Sequence, residues 1–137
     1  MRRLAAFLLC LLPLPALAGE VEARIDLSDQ EMTIFLDGRE LFRWPVSTAR
    51  AGKFTPLGLF TVQSMKRMHY STLYHNAPMP WSIFFSGNFA IHGTDQIGRL
   101  GRPASAGCVR LHPENAATLY HMVLEHGRAN TFIYVVR

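Results

Sequence analysis

Met32-Thr33-Ile34-Phe35-Leu36, then Asp37-Gly38, then Leu41-Phe42-Arg43-Trp44-Pro45-Val46 is the stretch whose reading decides the fold class. Two apolar-aromatic runs flank an Asp-Gly pair. Both residues of such a pair tolerate positive φ, which tight turns between antiparallel strands require, so the stretch predicts a hairpin. The same patterning continues on either side. Val21 to Leu27 alternates as a short strand. Leu59 to Met65 reads as one further strand, opened by Thr55-Pro56-Leu57-Gly58. Trp81 to Phe85 and Phe89 to His92 read as a second hairpin around Gly87-Asn88, and Thr131 to Val136 as a closing strand rich in β-branched residues.

One helix is expected, near residues 113–126. Pro113 suits a first helical turn, and Glu114 lies where the helix dipole favours negative charge. Ala116, Leu119, Tyr120 and Val123 fall at i, i+3, i+4 and i+7. Gly127 is able to end the helix in a left-handed cap. A mostly β domain with one flanking helix follows. Residues 66–80, with His69, Tyr70, Tyr74 and His75 among them, read as a long polar-aromatic loop. It is either an ordinary surface connection or a lid over a site.

The first 18 residues read as an export signal. Arg2 and Arg3 precede the apolar run Leu4 to Leu12, and Ala16-Leu17-Ala18 supplies a small-x-small cleavage pattern. The run is short for a membrane span and is broken by Pro13 and Pro15. Cys10 follows Leu8-Leu9 rather than a small residue, which argues against a lipidated cysteine. Removing residues 1–18 leaves 119 residues, expected as a single domain over 19–137. It also takes away two arginines and lowers the formal charge from +4 to +2, so nucleic-acid binding loses its compositional support. An exported, periplasmic protein with no stable membrane span after cleavage is expected.

Cys108 is then the one cysteine left, with no disulfide partner. Its setting is Ser105-Ala106-Gly107-Cys108-Val109-Arg110-Leu111, with His92-Gly93-Thr94 upstream. A thiol attacks a carbonyl as thiolate, and a neighbouring imidazole that takes the proton makes it a far better nucleophile. Gly107 permits a sharp turn beside the sulfur and leaves backbone N–H groups free to face a developing oxyanion. The competing reading is a buried cysteine that only packs. Cys108 and His112 are four apart, but a structural zinc needs about four ligands, so neither a metal nor another cofactor is expected. Arg110 offers a two-pronged donor for a substrate carboxylate, or else a strut for the Cys108 loop. Ser105 suits a loop-bracing hydrogen bond.

These residues resemble the YkuD-type L,D-transpeptidase catalytic domain of bacterial cell-wall enzymes. The resemblance rests on Ile91-His92-Gly93-Thr94 and on Leu100-Gly101-Arg102-Pro103-Ala104-Ser105-Ala106-Gly107-Cys108-Val109-Arg110-Leu111. Thr55-Pro56-Leu57-Gly58-Leu59-Phe60, Val46-Ser47-Thr48 and Met79-Pro80-Trp81 also match. It implies a β-sandwich-like fold. It also implies attack by Cys108 on the diamino-acid carbonyl of a peptidoglycan stem, loss of D-alanine, and transfer of the thioester to an amine to give a 3→3 cross-link. Transfer to water instead would make a carboxypeptidase or endopeptidase, and loss of chemistry would leave a cell-wall peptide-binding module. His92 would be the acid–base group, oriented by a backbone carbonyl at Gly93 or Thr94, with Asp95 as the alternative. Tyr74, Trp81, Ser105 and Arg110 are candidate substrate contacts, and carbapenem-type β-lactams candidate covalent inhibitors. Two departures stand out: Ala106 occupies a position where relatives usually carry histidine, and Ala49 one where they carry glycine.

Overall fold

A computed structural model describes Leu12 and residues 19–137. The expected export signal at residues 1–18 lies, apart from Leu12, outside the described residues. Among the described residues, nine strands form two sheets. They are β1 (Val21–Asp26), β2 (Glu31–Leu36), β3 (Arg39–Pro45), β4 (Gly58–Thr61), β5 (Ser64–Tyr70), β6 (Pro78–Ser86), β7 (Phe89–Gly93), β8 (Val109–Leu111) and β9 (Thr131–Val136). The first sheet runs β3-β2-β1-β9-β4 and the second β5-β6-β7-β8. Only β1–β9 and β7–β8 are parallel pairs. The described residues are mostly β with one α-helix, α1 (Pro113–His126), as the patterning predicts.

The Asp37-Gly38 turn behaves as its chemistry requires. Both residues have positive φ, 50° and 79°, and Leu36 pairs with Arg39 across it. Alternation then assigns the faces. Val21, Ala23 and Ile25 of β1, Met32 and Ile34 of β2, and Ile133 and Val135 of β9 point into one core. Ile83, Phe85, Ile91, Val109 and Leu111 meet them from the second sheet, and Ala116, Leu119, Tyr120 and Val123 from α1. Each fully buried aliphatic or aromatic side chain contributes roughly 1.5–3 kcal/mol.

Two expectations are corrected. Leu59 to Met65 is not one strand. The chain breaks after Thr61, so β4 joins the first sheet while β5, from Ser64, joins the second. An apolar run does not report a corner within it. Residues 66–80 are likewise mostly strand: β5 reaches Tyr70 and β6 starts at Pro78, leaving only residues 71–77 as a loop. Lys66 and Arg67 are tolerated because β5 is an edge strand. Pro78 and Pro80 are tolerated because β7 pairs with β6 only from Ile83 onward, so no strand needs their missing N–H groups on that side.

Helix α1 begins and ends with local chemistry. The His112 Nδ1 accepts from the Glu114 N–H at 3.2 Å and so caps the helix, and Pro113 follows as expected. Gly127 closes it with φ 95° and ψ 148°, positive in φ but extended rather than left-handed helical. The helix packs against β6 and β7 and reaches β1.

Candidate active site

Period-two alternation on the second sheet sorts its side chains to two faces. Ile83, Phe85, Ile91, Val109 and Leu111 fill the core, so Phe84, His92 and Arg110 turn to the opposite face. There they line a cleft of about 400 Å³. The parallel β7–β8 register sets His92 beside Arg110, one step beyond the Ile91–Val109 pair. Cys108 directly precedes β8 and lines the same cleft as His92. The 71–77 loop supplies Leu73 and Tyr74 to the rim, so this short segment edges the site as a lid would.

His92 is 6% exposed. Its Nδ1 lies 2.7 Å from the Gly93 carbonyl oxygen. A carbonyl only accepts, so Nδ1 carries the hydrogen, and Nε2 of the neutral ring is left as the basic nitrogen. Burial lowers the His92 pKa from 6.5 to about 4; the Gly93 bond raises it in part, while the charges of Arg110 and His69 depress it further. The imidazole is therefore neutral at pH 7. Gly93 is needed in its own right: a Cβ there would stand 3.0 Å from the Pro113 Cα and 3.2 Å from the Pro80 Cγ. Thr94 holds the next step of chain, its N–H donating to the Leu111 carbonyl and its Oγ1 accepting from the Gln96 N–H. Asp95 lines the cleft, but the partner of Nδ1 is the Gly93 carbonyl.

Cys108 is half-buried. Its thiol donates to the Asn88 carbonyl at 3.6 Å, and the Ala90 backbone amide also bonds to the sulfur. Burial raises the thiol pKa above 9.0, outweighing the lowering by that amide and by Arg110. The resting pair is thus a thiol and a neutral imidazole, not a thiolate–imidazolium pair.

The loop bearing Cys108 is braced on three sides. Ser105 Oγ donates to the Cys108 carbonyl at 2.6 Å and accepts from the Gly107 N–H at 3.0 Å. Thr55 Oγ1 donates to the Gly107 carbonyl at 2.8 Å and accepts from the Ala49 N–H at 3.1 Å. Gly107 has φ 144°, and a Cβ on it would sit 2.5 Å from the Phe89 ring and 2.9 Å from the Phe54 carbonyl oxygen. One expectation changes here. The Gly107 N–H is taken by Ser105 and does not point freely at an oxyanion. The Ser105 hydroxyl is likewise committed to the loop rather than to a substrate.

Arg110 enters the cleft and bonds the Gln96 Oε1 at 3.1 Å. Among the described residues it has no carboxylate partner. Ala106 presents only a methyl group to the cleft. Trp81 is a correction: it does not line the cleft. Its ring packs on Tyr120 and His121, with centroids 5.3 and 5.2 Å away, and the Arg67 guanidinium lies 5.0 Å above it. Sequence reasoning missed His69, Asn88, Phe89 and Arg50 as cleft residues. It read Thr55 as a strand opener, although a threonine before proline that braces a distant loop carries no local signal. A smaller depression of about 250 Å³, lined by Leu27, Lys53, Thr55 and Arg137 among others, contains no imidazole or thiol.

The model of the YkuD L,D-transpeptidase catalytic domain matches residues 20–134. The YkuD protein of Bacillus subtilis (strain 168) is 23% identical over 103 residues, covering 72% of this chain and 58% of that protein. Among solved structures, an L,D-transpeptidase from Mycobacterium smegmatis superposes with a TM-score of 0.79 at 23% identity, covering 87% of this chain and 59% of the other. L,D-transpeptidase 3 from Mycobacterium tuberculosis, solved with a faropenem-derived adduct, gives 0.76 at 20% identity, covering 87% and 61%. At these identities the structures report the fold. The chain spans about three fifths of the length of each of these relatives.

Proposed function

Because the chain belongs to the YkuD family of L,D-transpeptidase catalytic domains, we propose that it is a cysteine acyltransferase acting on peptidoglycan stem peptides. The observation that carries this reading is the tautomer of His92: Nδ1 is committed to the Gly93 carbonyl, so the basic nitrogen is Nε2, in the cleft that Cys108 shares. In this reading Cys108 Sγ attacks the diamino-acid carbonyl of a tetrapeptide stem as Nε2 takes the thiol proton. Full proton transfer before attack would cost several kcal/mol, because burial favours the neutral form of both groups. Attack and proton transfer are therefore coupled. The imidazolium then protonates the departing D-alanine amine as the peptide bond breaks, leaving a thioester and a neutral ring. An amine from a second stem attacks the thioester and gives its proton to Nε2. The Cys108 sulfur leaves and recovers that proton, and a 3→3 cross-link has formed. Ser105, Thr55 and Gly107 hold the nucleophile in place, while Arg110 and Tyr74 contact the peptide.

The export signal at residues 1–18, the single domain over 19–137 and a periplasmic location complete the proposal. The test is the product profile of purified protein on tetrapeptide muropeptides. Free D-alanine and cross-linked dimers are expected, and both should vanish in Cys108→Ala. Undiminished release in that variant would overturn the mechanism, and shortened monomers without dimers would assign the thioester to water. A carbapenem should add its mass to the wild type and not to Cys108→Ala. Support for acylation by a β-lactam comes from the faropenem-derived adduct of the M. tuberculosis relative.

A further inference from the structure

Two arginines line the cleft with Cys108. Arg110 follows the cysteine by two residues on β8. Arg50 belongs to the segment paired with the Cys108 loop: its N–H donates to the Ser105 carbonyl at 2.9 Å, next to isolated bridges that join Ala49 to Ser105 and Ser47 to Arg110. The turn that bears it is closed by the Lys53 N–H on the Arg50 carbonyl at 3.0 Å, with Gly52 at φ 83°. Both arginines line the cleft, where Asp95 is the only carboxylate among the lining residues. No carboxylate lies within ion-pairing distance of either guanidinium among the described residues. Two like charges beside one half-buried nucleophile repel each other, and Arg50 contributes to the lowering of the Arg110 pKa, behind burial and Arg99. That arrangement is unfavourable without counter-charge and becomes favourable when a ligand brings two anionic groups to the cleft.

We infer that Arg50 is a specificity-determining residue that selects donor peptides carrying a second carboxylate. Resting on the reading proposed above, Arg110 takes the terminal carboxylate of the stem, and Arg50 takes a free side-chain carboxylate on the diamino acid. A stem whose diamino acid carries a carboxamide, or no such group, is discriminated against. Arg50 is exposed and its own side chain braces nothing, so its removal should leave the fold intact.

The experiment measures calorimetric Kd values for two tetrapeptides, alike except that the side-chain carboxylate of one is a carboxamide in the other. Cys108→Ala protein is compared with Cys108→Ala/Arg50→Gln, so that no turnover intervenes. With Arg50 present the carboxylate peptide should bind about tenfold more tightly, and the preference should shrink as salt is raised. Arg50→Gln should bring the two peptides to equal affinity, and Arg50→Lys should restore part of the difference. A preference that survives Arg50→Gln, no preference in its presence, or no binding of either peptide overturns the inference. D-alanine release by protein with Cys108 intact is measured alongside. No release with the preference intact would sink the proposed chemistry alone; release without the preference would sink this inference alone.

Discussion

At the residue scale, the site is held in a neutral resting state. The unfolded His92 imidazole takes a proton near 6.5 and the folded one only near 4. Between those values the unfolded chain binds the extra proton, so stability is complete above pH 6.5 and falls as pH drops toward 4, by up to about 3 kcal/mol. His92→Gln should flatten that slope in urea titrations at stepped pH, and an unchanged slope would remove His92 as its source. Cys108 titrates in the other direction. Its ultraviolet thiolate band should grow in only above pH 9.0, and a band already present at pH 7 would mean a preformed ion pair. Cys108 and His92, which line one cleft, are legible as a candidate pair in the sequence, because a lone thiol, a glycine before it and an upstream His-Gly are chemical signals in themselves. Thr55 was not, because its bonds to Gly107 and Ala49 depend on where the 105–108 loop comes to lie.

At the element scale, strands and helix were read well where one residue pattern served one environment. The Asp37-Gly38 hairpin, β9 and α1 are of this kind. β4 and β5 read as one strand because both are short and apolar in part, and the switch between sheets at Val62-Gln63 breaks no local rule. The start of β6 was hidden by Pro78 and Pro80, whose usual meaning is cancelled by the absence of a β7 partner at that point. Trp81 shows the same dependence. Adjacent to the Met-Pro motif it looks like a substrate contact, yet it packs on α1. Trp81→Ala should therefore cost roughly 3 kcal/mol in chemical denaturation by leaving a void beneath Arg67 and Tyr120. KM for a stem peptide should stay within about twofold, since a change of 1.4 kcal/mol in binding would already be tenfold. A large rise in KM at unchanged stability would return Trp81 to the site.

At the scale of the whole molecule, the cleft exists because two sheets are fastened across their loops. Thr55 stands between β3 and β4 of one sheet and bonds the Gly107 carbonyl just before β8 of the other. Thr55→Val keeps the shape and removes both hydrogen bonds. It should cost about 1–3 kcal/mol and slow carbapenem acylation of Cys108 more than it weakens peptide binding. An acylation rate equal to wild type would show that the tie does not position the nucleophile. By itself, the sequence determined the fold class, the helix and the candidate thiol–imidazole pair, because periodicity, turn chemistry and thiol chemistry are properties of short segments. Tertiary structure alone decided the rest: which sheet each short strand joins, that Thr55 bonds the Gly107 carbonyl, and that Arg50 and His92 line one cleft with Cys108. Those facts are distances between segments far apart in the chain, and only packing of the two sheets fixes them.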